Sequence, residues 1–569
     1  MMNRKYVDVI FALIVFSLPF KYIPQVLWLN ILGGPFGQDL VIYPLVIGFV
    51  YTAYCQWKYK NVVYKWSIFR KFIIAYLTVL LISLAWALFD YPYYDLILNG
   101  PAGQIEKLPK PLAIFNDLGI PITKKALIEF WMFARPIKTI FFETISTFGG
   151  AYMIFCWYHN RIQRALDILL KVTTVDLVII AAYGLVDVCY QNGQMWAQNF
   201  ITMVLPFIHG NVSAKADYYQ FHTPLFWGAQ NRSIFLEPSY FGIYMAFAFP
   251  LLWWNIFRQT DVRKKLSLCG LFIVLAFEIF LTQSRTALAV NLCVFVIFAL
   301  ICLYRVQKKL FILLVILGIG YSSAFAGSME FLKYGQVPSR IGEWTPLATK
   351  WQNMQKKEKE LNQSVQKKGK ELNQSAQKKE KESNKKIPQT SATEYVEHNL
   401  KSLSGSGEKG IHAGSNHSRF TVQKTHIQIG LEHPIFGVGT SLRQGYLREK
   451  LDKDPGGEVQ KWNKNIDKWG LLGAGFPNLG DFTLRFAETG FLGLGLYLFP
   501  ALMLFWQYGK ILIRREMEVE RISPFIFSAL SFVGIMATGL GDGINITFCY
   551  WTVMAISFLL LFSKGDNNI

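Results

Sequence analysis

Three places along the chain put ionisable side chains where an apolar stretch begins or ends. Charges are costly at such positions, so each is read first as a functional site. The first is NRSIFLEPSY (Asn231 to Tyr240), where Arg232 and Glu237 precede a helix whose first turn is primed by Pro238. An outward-facing helix N-terminus can receive an anion. The structural alternative is that Glu237 complements the helix dipole and Arg232 is interfacial. The second, LTQSRTA (Leu281 to Ala287), is a tight turn that presents Arg285, although a lone arginine at a helix end also snorkels.

The third is SRFTVQKTHIQIGLEHPIFGVGT (Ser418 to Thr440). Phe420, Ile427 and Leu431 fit an amphipathic helix that carries Arg419 and Lys424 and could lie against the bilayer, and Gly437 to Gly439 ends it in a turn. The planar fork of arginine suits phosphate. The alternative is a packing helix with solvated basic residues. His417, His426 and His433 are candidate general bases, against the plainer reading of surface histidines. No pair of them has convincing metal-ligand spacing.

The elements that must position these residues are membrane helices. Of 569 residues 52% are hydrophobic and only 17% charged, and the apolar ones cluster in runs of roughly 18 to 25, enough to cross a hydrocarbon core of about 30 Å. The runs are Tyr6 to Leu29, Leu40 to Gln56, Phe72 to Phe89, Ile137 to Tyr158, Ile168 to Tyr190 and Tyr240 to Phe257. They continue with Leu266 to Leu281, Ala287 to Tyr304, Leu310 to Ala326, Phe491 to Trp506, Pro524 to Leu540 and Ile546 to Phe562. The fold expected is therefore an all-α integral membrane protein of about twelve transmembrane helices.

The formal charge of +20 is distributed by topology and forms no aromatic-interleaved groove, which argues against nucleic acid. It gathers around Lys58 to Lys71, Arg161 and Arg164, Arg258 to Lys265, Arg305 to Lys309, and Lys510 to Arg521, on alternate connections. The positive-inside bias then places both termini in the cytoplasm, and the first run is read as a retained helix. The seven cysteines all lie in or beside apolar runs and offer neither a disulfide framework nor metal spacing. Asp90 and Asp95 form no compact acidic motif for a metal.

Three regions follow: an N-terminal membrane domain of about nine helices (1–326), a large extracytoplasmic loop (327–490) and C-terminal membrane helices (491–569). Within the loop, Gln355 to Lys386 holds an 11-residue repeat, QKKEKELNQSV, QKKGKELNQSA and QKKEKESNKKI. Its apolar stripe is too thin to offset the entropy of ordering, so it reads as a solvated or disordered insertion. A basic surface for an anionic lipid or polysaccharide is the sharper alternative. Ser402 to Ser418 reads as a flexible linker.

In order along the chain, Arg232…Glu237-Pro-Ser239, LTQSRTAL (Leu281 to Leu288), SRFTVQKTHIQIGLEHPIFGVG (Ser418 to Gly439) and NLGDFTLRFAETGFLGLGLYL (Asn478 to Leu498) resemble the O-antigen polymerase and O-antigen ligase superfamily of bacterial envelope glycosyltransferases. The resemblance implies an enzyme of lipopolysaccharide or related polysaccharide biosynthesis in the bacterial inner membrane. It would transfer a glycan from undecaprenyl diphosphate to an acceptor sugar on the periplasmic face, with no cofactor and no bound metal. A chain-length regulator is an implied partner.

Arg285 and Arg419 would stabilise the leaving diphosphate, and Arg232, Glu237, Lys424 and Asn478 would bind substrate. Many relatives carry a histidine before the last of these motifs. Here Leu479 stands at that place, beside Asn478, so the usual base is missing. Asp481, His426 and Glu488 are the substitutes, with Glu488 alternatively a structural residue in the helix cap.

The departure favours a repeat-unit polymerase over a ligase that loads lipid A-core. A flippase or other transporter also suits about twelve helices, but would more often show two similar halves and mid-helix charges. A third reading makes the loop the binding surface of an assembly protein without catalysis.

Overall fold

A computed structural model describes residues 3–21, 23–24, 27–29, 35–59, 66–105, 108–191, 194–208, 231–282, 284–334, 413–454, 456–514, 517–544 and 547–563. The charged repeat and most of the glycine- and serine-rich segment lie outside them. Every apolar run contributes to a helix among the described residues, and none of these residues forms a strand. The first half contains α1 (Arg4–Ser17), α2 (Ile42–Tyr59), α3 (Ser67–Phe89), α4 (Tyr94–Leu98), α5 (Pro109–Asp117) and α6 (Lys124–Thr144). A π-helical turn, Ile145–Gly149, joins α6 to α7 (Gly150–Tyr158). Then come α8 (Ile162–Gln191), α9 (Met195–Ile208), α10 (Pro238–Arg258), α11 (Val262–Leu281), α12 (Arg285–Arg305) and α13 (Lys308–Tyr334).

The remainder contains α14 (Ala413–Glu432), α15 (Arg443–Lys450), α16 (Gly457–Trp469), α17 (Asp481–Ile513), α18 (Val519–Thr538) and α19 (Phe548–Phe562). Among the described residues seven helical stretches are individually long and apolar enough to cross a membrane: α3, α6 with α7, α10, α12, α13, α17 and α18. The chain is an all-α integral membrane protein, as expected.

Helices α10 and α18 form the centre and are buried around most of their circumference. Close approach is built in, since a Cβ at Gly242 of α10 would fall 2.1 Å from the Cβ of Ala287 in α12. Small residues let helix backbones meet where lipid offers no hydrophobic drive to pack. Trp86, Phe89, Leu292, Leu300 and Ile319 instead point outward from α3, α12 and α13, a surface that suits hydrocarbon and not water.

The two ends of the bundle differ. At the basic end the connections hold one another. Asp8 accepts from Arg164 at 2.8 Å and faces Arg161 at 3.5 Å, and Arg258 pairs with Asp167 at 3.1 Å. Arg305 donates to the carbonyls of Leu512, Arg514 and Met517. The opposite end carries α4, α5, α14, α15 and α16, and is called the loop end below.

Several boundaries move, among them the start of α17, which is Asp481 and not Phe491, and the end of α13, which is Tyr334 and not Ala326. The first helix ends at Ser17 and does not continue to Leu29, because Pro19 has no N–H to donate. Helix α6 starts at Lys124, well before the expected Ile137, because the Thr123 hydroxyl caps it by accepting from Ala126 N at 3.1 Å.

Candidate active site

Helix α14 lies across the loop end and packs on the start of α17. Its inward face is Ser418, Val422, Thr425, His426 and Ile429. Phe420, Lys424, Ile427 and Leu431 lie on the exposed side. The expected apolar stripe is therefore real but faces away from the bundle. Two polar clasps fix the helix, and a further bond ties the start of α17 to the same turn. Arg419 Nη1 donates to Gly541 O at 2.6 Å and stands 3.5 Å from Asp542 Oδ1. Gln423 donates to the carbonyls of Leu479 and Leu540. Asp481 N, at the first residue of α17, donates to Gly539 O at 2.9 Å.

Charge converges where α14 crosses the Gly539–Gly543 turn. Arg285 opens α12, with Ser284 Oγ accepting from Ala287 N, and it feels the charge of Arg419. Glu237 caps the N-terminus of α10 and receives the Ser239 hydroxyl at 3.4 Å. Burial raises its carboxyl pKa and the neighbouring Asp542 adds to the rise, while Arg419, the Ser239 hydroxyl and Arg232 oppose it. Burial likewise raises Asp542, against the pull of Arg419. The result is two protonatable carboxyls beside two arginines at a helix N-terminus, an arrangement that can bind an anion and accept a proton.

Arg232 sits one layer deeper. Its backbone N–H donates to Asp187 Oδ2 at 3.1 Å and its guanidinium to Leu236 O at 3.2 Å. The surrounding segment is built rather than loose, for Asn231 N donates to Leu281 O and Ser233 Oγ to Ile180 O. Asn478 Oδ1 accepts from Gly480 N, and the Asn478 amide lies against Gly543.

The site is held by an interruption in α17. Gly490 has φ +63° and ψ −165° inside the helix, a conformation only glycine adopts easily. The backbone groups this frees are taken up by the turn after α14. Val438 N donates to Ala487 O at 2.9 Å and Gly439 N to Glu488 O at 2.8 Å, while Phe491 N donates to Pro434 O at 2.7 Å. Ser83 Oγ on α3 closes the assembly by donating to Phe436 O at 2.5 Å. Broken helices survive at membrane depth only with such replacement partners.

Two ion pairs brace the interruption. Arg443 Nη1 meets Glu488 Oε1 at 2.7 Å, and the same oxygen accepts from Ser441 N at 3.1 Å. Arg485 pairs with Glu143 of α6, and its guanidinium lies 5.3 Å from the Tyr497 ring, whose hydroxyl donates to Asp481 Oδ2 at 2.6 Å. Arg485 and Glu143 are 5% and 14% exposed, so this is a buried pair and not a surface one.

His426 is fully buried, and neither ring nitrogen has a hydrogen-bond partner among the described residues. Burial and the Arg443 charge hold its pKa well below the ordinary histidine value. Folding therefore favours neutral imidazole, and stability is lost as pH falls below the unfolded value of about 6.5. Replacing His426 with leucine is expected to flatten that acid limb. Its slope is at most about 1.4 kcal/mol per pH unit, and thermal unfolding in detergent at neutral and mildly acidic pH would measure it.

Of the residues named from sequence, Arg419 is the common neighbour: its charge acts on Glu237 and on Arg285, Arg232 also acts on Glu237, and Asn478 lies beside the Gly539–Gly543 turn. Asp481 and His426 are wholly buried in the supporting layer, and Lys424 is exposed on the far side of α14. Asp542, Arg443, Arg485 and Glu143 were not singled out. Asp542 falls between two apolar runs at the loop end, the signal that exposed Arg285. Arg485 lies inside a motif already noted.

No curated protein sequence matches the chain. Residues 270–466, from within α11 to within α16, match the O-antigen ligase family model. This segment contains Arg285, Arg419, Lys424 and His426, whereas Arg232, Glu237, Asn478 and Asp481 lie outside it. The match bears out the resemblance to the O-antigen polymerase and ligase superfamily and supports a role in surface-glycan biosynthesis.

Proposed function

We propose that the protein polymerises undecaprenyl-diphosphate-linked oligosaccharide repeat units at the periplasmic face of the inner membrane, with the basic end of the bundle in the cytoplasm. The observation that carries this reading is the Arg419–Asp542 pair at the loop end, whose charges act on the buried Glu237, with Arg285 within reach of the Arg419 charge. In the transfer an acceptor hydroxyl oxygen attacks the anomeric carbon of the donor, the bond from that carbon to the phosphate oxygen breaks, and the lipid diphosphate leaves. Arg285 and Arg419 hold the diphosphate and stabilise the charge that grows on the leaving oxygen. Glu237, whose carboxyl burial makes more basic, takes the hydroxyl proton, and Asp542 orients Arg419. Asn478 and the deeper Arg232 position the sugar and Glu237. Asp481 and His426 hold α17 and α14 in place, and Lys424 contacts carrier or membrane on the exposed side of α14.

Loading of the polymer onto lipid A-core is a second reading, favoured by the description of the matching family. The leucine at position 479 supports the polymerase instead. Analysis of envelope polysaccharide in a deletion strain separates the two. A ladder reduced to a single repeat on core is expected for the polymerase. Free polymer retained on its lipid carrier would replace this reading with the ligase, and loss of all surface glycan would point to a flippase.

A further inference from the structure

A second site lies at the basic end, far from the chemistry. There α10, α11, α13 and α18 leave a cavity of about 520 Å³ between them. Its floor and wall are apolar: Trp254 and Phe257 from α10, and Ile312 and Ile316 from α13. The wall runs outward into the exposed apolar surface of α13, where Ile312 and Ile319 are bare. Its rim carries Arg258, Lys265 and Lys309 with the carboxylate Glu520, and Asp167 stands beside Arg258.

Two of the three rim cations are held in exposed ion pairs and the third is not. The Arg258 guanidinium lies 5.6 Å over the Trp254 ring while pairing with Asp167, so it is anchored at the mouth. Lys265 has no acidic partner among the described residues. Lys309 pairs with Glu520, but both side chains are more than half exposed, and such pairs contribute little and exchange readily. Cations above an apolar slot that opens sideways to hydrocarbon match one ligand class: a headgroup phosphate with acyl chains attached.

We propose that this cavity binds an anionic phospholipid of the leaflet at the basic end, with its phosphate on Lys265 and Arg258 and an acyl chain along Phe257, Ile312 and Ile316. A soluble anion would gain nothing from the apolar wall, and a zwitterionic lipid would bring its own cation to the basic rim. The inference rests on the membrane-spanning fold and not on the proposed transfer reaction, so its test reads lipid binding and not glycan synthesis.

The full chain is purified in detergent and exchanged against phosphatidylglycerol, phosphatidylcholine or inorganic phosphate, and the bound species are counted by native mass spectrometry. Wild-type protein is expected to retain phosphatidylglycerol over phosphatidylcholine by roughly tenfold. The Arg258→Gln, Lys265→Gln double variant should approach parity. Lys265→Gln alone, at a partly exposed position, should fall between them. Equal retention of the two lipids by wild type, or an unchanged preference in Lys265→Gln and the double variant, overturns the site. Displacement of phosphatidylglycerol by inorganic phosphate at equal concentration would make it a free-phosphate site and overturn the lipid assignment.

Discussion

Arg419→Ala is expected to lower polymer output by about 10²- to 10³-fold, the usual cost of removing one donor aimed at a developing oxyanion. The protein should still reach the membrane, because α14 keeps its Gln423 clasps and its packing on α17. The loss has two parts. The guanidinium no longer meets the leaving diphosphate. It also no longer opposes the burial of Glu237 and Asp542, so both carboxyls rise further and Glu237 becomes a base only at higher pH. Arg419→Lys should recover part of the charge effect but not the two-pronged contact with Gly541 and an anion. Gel analysis of surface glycan, normalised to protein in the membrane fraction, is the measurement. Polymer of unchanged amount and length in Arg419→Ala would end the proposed role of this residue.

The largest effect on stability is expected at Arg485. Changing it to methionine leaves Glu143 buried without its cation, and breaking a buried pair from one side costs about 3–5 kcal/mol. The companion change Glu143→Leu should restore most of that loss, because replacing a whole buried pair with packed apolar groups is often close to neutral. Thermal unfolding of both variants in detergent gives the comparison. A single variant within about 1 kcal/mol of wild type, the value expected of a surface pair, would mean that solvent reaches the pair.

Much of this architecture was legible because lipid imposes a simple pattern. Each apolar run became a helix, since no other open structure satisfies its backbone in hydrocarbon. The charged residues at run ends likewise pointed to Arg285, Arg419 and Glu237. Other features depend on tertiary partners that no local pattern reveals. The stripe Phe420, Ile427 and Leu431 correctly marked a helix but not its buried face, which is chosen by the fit of Val422, His426 and Ile429 onto α17. The break at Gly490 falls at the edge between the polar Asp481–Thr489 stretch and the apolar run from Phe491, so it reads as the start of a span and not as a kink inside one helix. Its cause is the Pro434–Gly439 turn, about fifty residues earlier by chain position. Glu488, read as either a base or a cap residue, instead receives Arg443 and Ser441 N. Asp542 carries no local signal beyond its place in the gap between two apolar runs.

The exchange of backbone bonds across Gly490 also bears on the order in which the chain is made. The groups that receive the broken segment of α17, Ser83 and Pro434 to Gly439, all precede it in the sequence. A ribosome working from the N-terminus therefore delivers the receiving turn before the discontinuous helix leaves the insertion machinery. The orphaned amides of α17 meet carbonyls already in place, and the helix need not wait in hydrocarbon for a later partner. Moving the turn to a position after α17 by circular permutation would remove that advantage while leaving every final contact possible, so the defect would appear in the yield of inserted protein and not in the stability of the finished fold.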